Sequence, residues 1–372
     1  MNETLLTWIV FLLAFGGMVI IHEFGHFVAA RLCKIEVEEF GFGLPTPGAI
    51  TMFTWQGTRF TWNWLPFGGF VRPKGENDPN VPGGIAAASP WRRFIVLSAG
   101  PLMNLFAAFV IYSVIFARVG VPDTSRVLVT SVVVDSPAAQ AGFESGDIFI
   151  TANDQPIQNY DDLRLIVDAS EGAPVVFRVD RGEIEIELIA TPKFYEAEGR
   201  AMIGVGLGVP FIRTGSFLQT VELGGRYTYF SIRNLLSLPA QLIRGNLTPE
   251  QSRVIGLKGI YDIIGQTVSH DVEASANEPS GAQPSADPTD HPVRTLELIA
   301  GLSISLGIFN LFPFPALDGG RIIFLLPELI FRRRVPARVE NLVHGLGMTV
   351  LLIFMVYVNV MDFVNPINVT IP

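Results

Sequence analysis

Residues 5–26 read LLTWIVFLLAFGGMVIIHEFGH, an apolar run that ends in two histidines and a glutamate. The run is long and apolar enough to cross a bilayer as a helix. In a helix, His22 and His26 lie one turn apart on one face, where two imidazoles can bind a metal ion such as zinc, and Glu23 lies beside them as a general base. Ionisable side chains at membrane depth are costly and indicate function. The stretch therefore predicts hydrolysis inside or at the edge of a bilayer.

The composition of the 372-residue chain also favours a membrane protein. Hydrophobic residues make up 49% of the chain and charged residues only 16%, against about 25% charged residues in soluble domains. The formal net charge of −9 argues against nucleic acid as a partner, because nucleic-acid binding requires a basic face. The single cysteine, Cys33, excludes an intramolecular disulfide and a cysteine-based zinc site.

Four segments meet the criterion of about 20 mostly apolar residues for a membrane span. They cover residues 5–32, 94–116, 296–312 and 342–364. Basic residues cluster between the first two spans and again between the last two, whereas the two tails carry no Lys or Arg. By the positive-inside rule, both basic loops are cytoplasmic, and both termini and the long stretch between spans two and three are extracytoplasmic.

Two stretches outside the spans predict β structure. Residues 50–71 are aromatic and β-branched around Gly57, which indicates a hairpin, and their three tryptophans are typical of a membrane interface. A small hairpin packed on a cytoplasmic surface is the alternative. Residues 127–188 follow the order β-α-β-α-ββ, with Ser136 and Pro137 as a helix start, which predicts one compact domain.

The stretch between this domain and the third span is less regular. Residues 216–244 are apolar but interrupted by charged side chains, so we expect helices that lie on the membrane surface, with a further span as the alternative. Residues 270–292 are rich in Pro, Ser, Asp and Ala, which predicts a disordered loop. Its histidines, His270 and His291, are expected to be exposed to solvent.

Asp318 is the candidate third metal ligand, because a catalytic zinc needs three protein ligands and an open position for water. It lies in residues 310–320 (NLFPFPALDGG), directly after the third span. An acidic residue at such a membrane-level break must line a protein cavity or meet a cation. Taken alone, a helix-capping role for Asp318 is the alternative. His344, in the fourth span, is expected to be a core or interfacial histidine rather than a fourth ligand.

These motifs resemble the site-2 protease family of intramembrane zinc metalloproteases, in the bacterial, PDZ-containing form typified by the regulator-of-sigma-E protease. The HEFGH of residues 22–26 resembles the family's zinc motif, and residues 98–104 (SAGPLMN) its Ala-Gly-Pro-x-x-Asn signature. The family's Asn-x-x-Pro-x-x-x-Leu-Asp-Gly motif is matched by Asn310, Pro313, Leu317, Asp318 and Gly319.

The resemblance extends to the segments outside the membrane. Residues 65–70 (LPFGGF) resemble the family's membrane-associated β-hairpin. Six further residues resemble those of a PDZ core: Pro137, Ala138, Ala141, Gly142, Gly146 and Asp147. Two features depart from the family. Residues 41–45 (GFGLP) carry an extra Leu, and the chain has one PDZ-like stretch where the best-known bacterial relatives have two.

The expected fold is a membrane α-helical bundle of about four transmembrane helices, with an inserted extracytoplasmic α+β PDZ domain and a membrane-associated β-hairpin at about residues 50–71. The first membrane half covers residues 1–120 and the PDZ domain residues 121–212. Surface helices and the disordered loop cover residues 213–294, and the second membrane half covers residues 295–372. The resemblance places this multi-pass protein in the bacterial inner (plasma) membrane.

The function that the resemblance implies is a zinc-dependent metalloendopeptidase that cleaves transmembrane segments of membrane-bound regulators such as anti-sigma factors. His22, His26 and Asp318 would bind Zn²⁺, and Glu23 would be the catalytic base. Substrate backbone would be bound by Asn310 and Asn104, although Asn104 equally suits a hydrogen bond between helices. The PDZ domain would bind peptide or protein termini. A non-catalytic PDZ-bearing membrane scaffold or adaptor, and a metal transporter, are the alternatives, and the intact base and single ligand set argue against them.

Overall fold

The computed structural model describes residues 2–76, 78–170, 172–182, 184–195, 199–212, 216–245, 253–277 and 293–365. The chain divides into two compact units. The first contains residues 1–112, 224–270 and 295–372, and the second contains residues 113–223 and 271–294.

The helices of the described residues are α1 (Glu3–Leu32), α2 (Pro90–Val119), α3 (Pro137–Ala141), α4 (Tyr160–Ala169), α5 (Phe217–Ile243), α6 (Leu257–Asn277), α7 (Arg294–Leu311), α8 (Asp318–Phe331) and α9 (Ala337–Val364). The strands of the first unit are β1 (Val37–Leu44), β2 (Ile50–Trp55), β3 (Thr58–Trp62) and β4 (Leu65–Pro73). Those of the second unit are β5 (Val121–Pro122), β6 (Val127–Val132), β7 (Ile148–Ala152), β8 (Gln155–Pro156), β9 (Val175–Arg181), β10 (Ile184–Ala190), β11 (Lys193–Tyr195), β12 (Arg200–Met202), β13 (Val205–Gly208) and β14 (Phe211–Ile212).

Four of these helices, α1, α2, α7 and α9, are long and apolar enough to cross a membrane. They coincide with the four predicted spans, so that prediction is confirmed by length and composition. Helix α1 begins after Asn2, whose side chain accepts a hydrogen bond from the backbone N–H of Thr4 at 3.1 Å. This cap satisfies one of the free N–H groups at the helix start.

Helices α5 and α6 occupy the stretch for which surface helices were predicted. In the first unit, α5 packs Ile232 and Leu235 into an apolar cluster with Ala108 of α2 and Ile304 of α7. Helix α6 in turn packs Tyr261 on the rings of Trp8 and Phe11 of α1 (ring centroids 4.6 and 5.7 Å apart). Neither helix meets the span criterion, but each has one face on a span helix.

The first part of the predicted disordered loop, residues 270–277, is helical. Residues 270–277 form the last turns of α6, where His270 is half-buried rather than exposed. Helix α6 forms despite its mixed composition because Asp362 of α9 accepts hydrogen bonds from Gly256 N (2.8 Å) and Gly259 N (3.1 Å) at its start. Residues 278–292, including His291, lie outside the described residues.

The first unit contains a four-stranded sheet with the order β2-β3-β1-β4. Strands β2 and β3 form the expected hairpin, turning at Gln56 and Gly57, both with positive φ. The prediction of one hairpin over residues 50–71 is wrong beyond residue 62. Strand β1, which the sequence analysis did not assign, lies between β3 and β4, parallel to β3 and antiparallel to β4.

The sheet is fixed to α1 by aromatic packing. Phe27 of α1 contacts the rings of Phe40 and Phe60, each at a centroid distance of 5.7 Å. As a result, the edge strand β4 lies against α1, whereas the opposite edge strand, β2, is exposed along its whole length. The two edges of one sheet thus have different environments.

The second unit is built on a sheet with the order β10-β9-β7-β6-β13, with β8 paired to β7. Its core contains buried Val127, Phe149 and Phe177. Helix α3 starts as the sequence predicts, because Ser136 Oγ accepts a hydrogen bond from Ala139 N at 3.1 Å and Pro137 follows it. Strands β5 and β14, at the two ends of this stretch, pair with each other.

Candidate metal centre

Three side chains from two helices converge on one point in the first unit. Nε2 of His22 lies 3.1 Å, and Nε2 of His26 3.3 Å, from Oδ2 of Asp318. The two imidazole Nε2 atoms are 3.2 Å apart. Each residue offers one ligand atom, and these residues could hold a metal ion. Three lone-pair donors that face one another in this way indicate a cation between them.

The spacing of these donors fits zinc. With zinc–nitrogen and zinc–oxygen bonds of about 2.0–2.2 Å, the edges of a tetrahedral site are about 3.3–3.5 Å long. The three observed separations, from 3.1 to 3.3 Å, are close to such an edge. Asp318 Oδ2 is buried, and the groups nearest to it are the two imidazole Nε2 atoms, so its lone pairs are directed at the point where a metal ion could bind. Two imidazoles and one carboxylate are also a ligand set that leaves a fourth position open.

The far side of the His26 ring is held by α2. Nδ1 of His26 lies 2.7 Å from the backbone carbonyl oxygen of Val96, so the ring donates its Nδ1 proton there. The lone pair then lies on Nε2, which faces Asp318. This is the usual arrangement in which an outer hydrogen bond fixes the tautomer and orientation of a metal-binding histidine.

The far side of the His22 ring faces Asn104, which is fully buried. The Asn104 amide nitrogen lies 3.3 Å from His22 Nδ1, while its Oδ1 is buried without a hydrogen-bond partner among the described residues. The two ends of an amide are nearly isosteric. Turned by 180°, the amide would accept the Nδ1 proton of His22 through Oδ1 and leave the Nε2 lone pair free, as on His26.

Glycines allow α1 and α2 to approach at this point. A Cβ atom on Gly100 would lie 2.3 Å from His26 Nε2, and one on Gly25 would lie 2.4 Å from the carbonyl oxygen of Ala99. Neither clash can be relieved without moving a backbone or the His26 ring. The glycine of the Ala-Gly-Pro stretch therefore makes room for the imidazole of His26.

Asp318 begins helix α8, and the two glycines after it let the preceding loop pack closely against the first turn of the helix. A Cβ atom on Gly319 would lie 2.2 Å from the carbonyl oxygen of Phe312, and one on Gly320 would lie 2.3 Å from that of Phe314. The loop before the helix thus folds directly onto its first turn. The helix start also carries partial positive charge, which favours a carboxylate there.

Glu23 lies on the neighbouring face of α1, between the ligand cluster and the sheet. Its carboxylate interacts electrostatically with His22, His26 and Asp318 and receives a hydrogen bond from the backbone N–H of Val71 in β4. A Cβ atom on Gly69, two residues earlier in the same strand, would lie 3.4 Å from Glu23 Cγ. An acid placed beside three converging donor side chains, and not among them, can move protons.

The model of Peptidase family M50 matches residues 10–354 of the chain. The chain belongs to peptidase family M50. It is therefore a zinc-dependent metalloendopeptidase associated with a membrane.

Related proteins match this M50 peptidase over nearly their whole length. A protein of Clostridium perfringens named as a zinc metalloprotease is 32% identical over 357 residues, which covers 96% of the present chain and 98% of the relative. A similarly named protein of Clostridium acetobutylicum is 27% identical, with coverage of 97% and 98%. The metalloprotease MmpA of Caulobacter vibrioides is 29% identical over 91% of each chain.

Two polar residues predicted from the sequence, Asn310 and His344, form hydrogen bonds to backbone and are not part of the donor cluster of this M50 peptidase. The Asn310 side-chain amide donates to the carbonyl of Leu306 at 3.0 Å, and the residue is half-buried. His344 Nδ1 accepts a hydrogen bond from the backbone N–H of Ala316 at 2.9 Å. This contact was not predicted, because no signal in the sequence reports a side chain that binds backbone 28 residues away.

Proposed function

We propose that this M50 peptidase cuts peptide bonds within transmembrane segments of other proteins, with His22, His26 and Asp318 as zinc ligands and Glu23 as the base. The observation that carries the proposal is the position of the donor cluster. Two of its three residues lie on α1, a helix with the length and hydropathy of a membrane span, and the third starts α8. A site on such a helix is within reach of substrates that are themselves in the membrane.

A bound zinc ion supplies Lewis acidity, which polarises the scissile carbonyl and makes water acidic enough to be deprotonated near neutral pH. Glu23 acts first as a general base, when it accepts the proton of the attacking water. It then acts as a general acid, when it donates that proton to the leaving amine. The Val71 N–H holds the Glu23 carboxylate in place. The contact of His26 with Val96 O keeps its Nε2 lone pair directed at the cluster, and Asn104 does the same for His22 when its amide is turned so that Oδ1 accepts the Nδ1 proton.

The two asparagines then have different roles. Asn104 is fully buried and its backbone carbonyl accepts a hydrogen bond from Ser303 Oγ at 2.9 Å, so it holds His22 and joins helices rather than meeting substrate. Asn310 is half-buried, and no hydrogen bond to its Oδ1 occurs in the described part of the chain. We assign the substrate-backbone contact to Asn310.

The edge of β4 is the surface on which a substrate would be presented. A helical substrate has its carbonyls in hydrogen bonds, so its segment must unwind before it is cut, and an unwound segment can add to a free strand edge. The N–H of Val71 points out of the sheet edge toward Glu23, and by the two-residue period of a strand that of Gly69 points the same way. A strand added there would pass directly beside Glu23.

Proline at position 69 is expected to slow cleavage. Gly69→Pro removes one outward N–H, which corresponds to a net loss of about 0.5–1.5 kcal/mol, or about 2- to 12-fold in kcat/KM. Gly69→Ala adds a similar Cβ and keeps the N–H, so the difference between the two variants reports the hydrogen bond. The matched control is Met52→Pro on the exposed edge strand β2. An equal loss in Met52→Pro, or none in Gly69→Pro, would exclude strand addition at β4.

The second unit is proposed to be a PDZ domain, spanning residues 121–212, that binds the termini of peptides or proteins. Its main strands and helices follow the β-α-β-α-ββ order predicted from residues 127–188, and residues 137–147 carry the positions that resemble a PDZ core. The distribution of basic residues supports an extracytoplasmic location for this domain and for both termini. The resemblance supports a bacterial inner membrane as the location of the protein. Membrane-bound regulators such as anti-sigma factors are the substrate class that we propose.

The position of the cut tests the proposed function. The purified full-length chain, in liposomes with a model single-span protein, is expected to cut within the apolar segment of that protein, as read by mass spectrometry of the products. Removal of zinc by a chelator should stop the reaction and added zinc should restore it. Cuts confined to soluble regions of the substrate, or cleavage that a chelator leaves unchanged, would contradict the proposal. Zinc binding without any cleavage would favour a scaffold.

A further inference from the structure

The loop that leads into Asp318 contains one residue, Ala316, in an unfavourable backbone conformation, and a side chain from helix α9 contacts it. Ala316 has a φ of +85°, in the left-handed region that residues with a Cβ avoid. Its own side chain has no polar group to stabilise this conformation. The Ala316 N–H instead donates a hydrogen bond to Nδ1 of His344, on helix α9, at 2.9 Å.

A second contact shapes the same loop from the same helix face. Gly347 lies three residues after His344, so the two residues are neighbours on α9. A Cβ atom at Gly347 would lie 2.4 Å from Cβ and 2.6 Å from the carbonyl oxygen of Pro315. Helix α9 therefore fits the loop in two ways. The missing side chain at Gly347 leaves room for Pro315, and His344 supplies a hydrogen-bond acceptor for Ala316.

The backbone between Ala316 and Asp318 is short and constrained by packing. Leu317 alone separates Ala316 from Asp318, and the Leu317 N–H is held by the carbonyl of Phe314 at 3.1 Å. The first turn of α8 lies against that same carbonyl, because a Cβ at Gly320 would be 2.3 Å from it. A change in the backbone at Ala316 must therefore move the carboxylate of Asp318.

We infer that His344 is a positioning residue for Asp318: by accepting the Ala316 N–H, it holds the loop that directs the carboxylate at His22 and His26. The inference rests on the proposed role of Asp318 as a zinc ligand. His344 itself donates no atom to the metal, and its ring proton lies on Nε2 when Nδ1 accepts. The competing interpretation is that the ring only fills space beside Phe324, whose centroid is 5.5 Å away.

Zinc affinity of three His344 variants separates these interpretations. In His344→Asn, Oδ1 takes the place of Nδ1 and can accept the same hydrogen bond, whereas His344→Gln places its oxygen one carbon further out and His344→Leu has no acceptor. Loss of an outer contact to a metal site typically weakens metal binding by about 10- to 100-fold. We expect a loss in that range for Gln and Leu, and near wild-type affinity for Asn. The full-length chain in detergent is titrated with zinc against a competing chelator.

A second substitution tests the route through Ala316. Glycine adopts a positive φ without strain, so Ala316→Gly combined with His344→Leu is expected to recover part of the zinc affinity that His344→Leu alone loses. Thermal unfolding of each variant checks that the fold survives. If His344→Leu does not fold, the comparison of Asn with Gln decides.

Two results would overturn the inference: wild-type zinc affinity in both Gln and Leu variants, or an equal loss in Asn, Gln and Leu. Asp318→Ala separates these failures from a failure of the proposed function. If Asp318→Ala keeps its zinc, the ligand assignment itself is wrong. If it loses zinc while the His344 variants keep theirs, only the positioning role is wrong.

Discussion

Replacement of Glu23 by Gln is expected to stop peptide-bond cleavage while zinc stays bound. The amide has the shape of the carboxylate but cannot accept the proton of the attacking water, and general base catalysis contributes about 100- to 10,000-fold in rate. Zinc should remain because Glu23 lies beside the three converging ligand atoms and is not one of them. Both quantities are measured on one preparation: kcat with a single-span substrate, and zinc content by elemental analysis.

The matched control for Glu23 is Glu3→Gln on the same helix. Glu3 is exposed in the first turn of α1, five turns from the ligand cluster, so its replacement should leave cleavage unchanged. Wild-type turnover by Glu23→Gln would show that another group takes the proton. Loss of zinc from Glu23→Gln would instead make Glu23 part of the metal site.

Composition and spacing predicted the elements that bring the candidate site together. The four span helices have apolar runs long enough to be recognised without knowledge of their neighbours. His22 and His26 share a helix face because of their spacing alone, and Asp318 is conspicuous as an acid between prolines and glycines after a span. These features are local in the sequence, which is why they could be recognised there.

The parts that were missed depend on contacts between distant residues. Strand β1 contains Gly41 and Gly43, and it is stabilised by pairing with β3 and β4 rather than by its own β propensity. The last turns of α6 read as a loop because their composition is polar, and the helix is anchored at its start by Asp362, about 100 residues later in the chain. Asn104 was predicted to contact substrate or to join helices, and its full burial against His22 is a tertiary property that the sequence does not report.

Replacement of Asp318 by Ala is expected to remove zinc and, with it, all cleavage. The two imidazoles are neutral when they bind through Nε2, so the carboxylate is the only negative charge among the three converging ligands. Without it, a doubly charged ion would be held in a poorly solvated site by neutral groups alone, which is electrostatically costly. The loss of zinc affinity should exceed the roughly 10- to 100-fold typical of an outer contact, because a direct ligand is removed. Zinc content and competition with a chelator measure it.

A second carboxylate on the same helix provides the control for Asp318. Glu328 of α8 forms an ion pair with Arg93 at 2.7 Å and is not among the ligand atoms, so Glu328→Gln removes a charge from α8 without touching the cluster. It is expected to lower the unfolding temperature, since Arg93 is buried and would lose its partner, but to keep zinc bound. Equal zinc loss in both variants would mean that the metal depends on the stability of α8 as a whole. Zinc retained in Asp318→Ala would require a different third ligand, and the convergence of His22, His26 and Asp318 would then need another explanation.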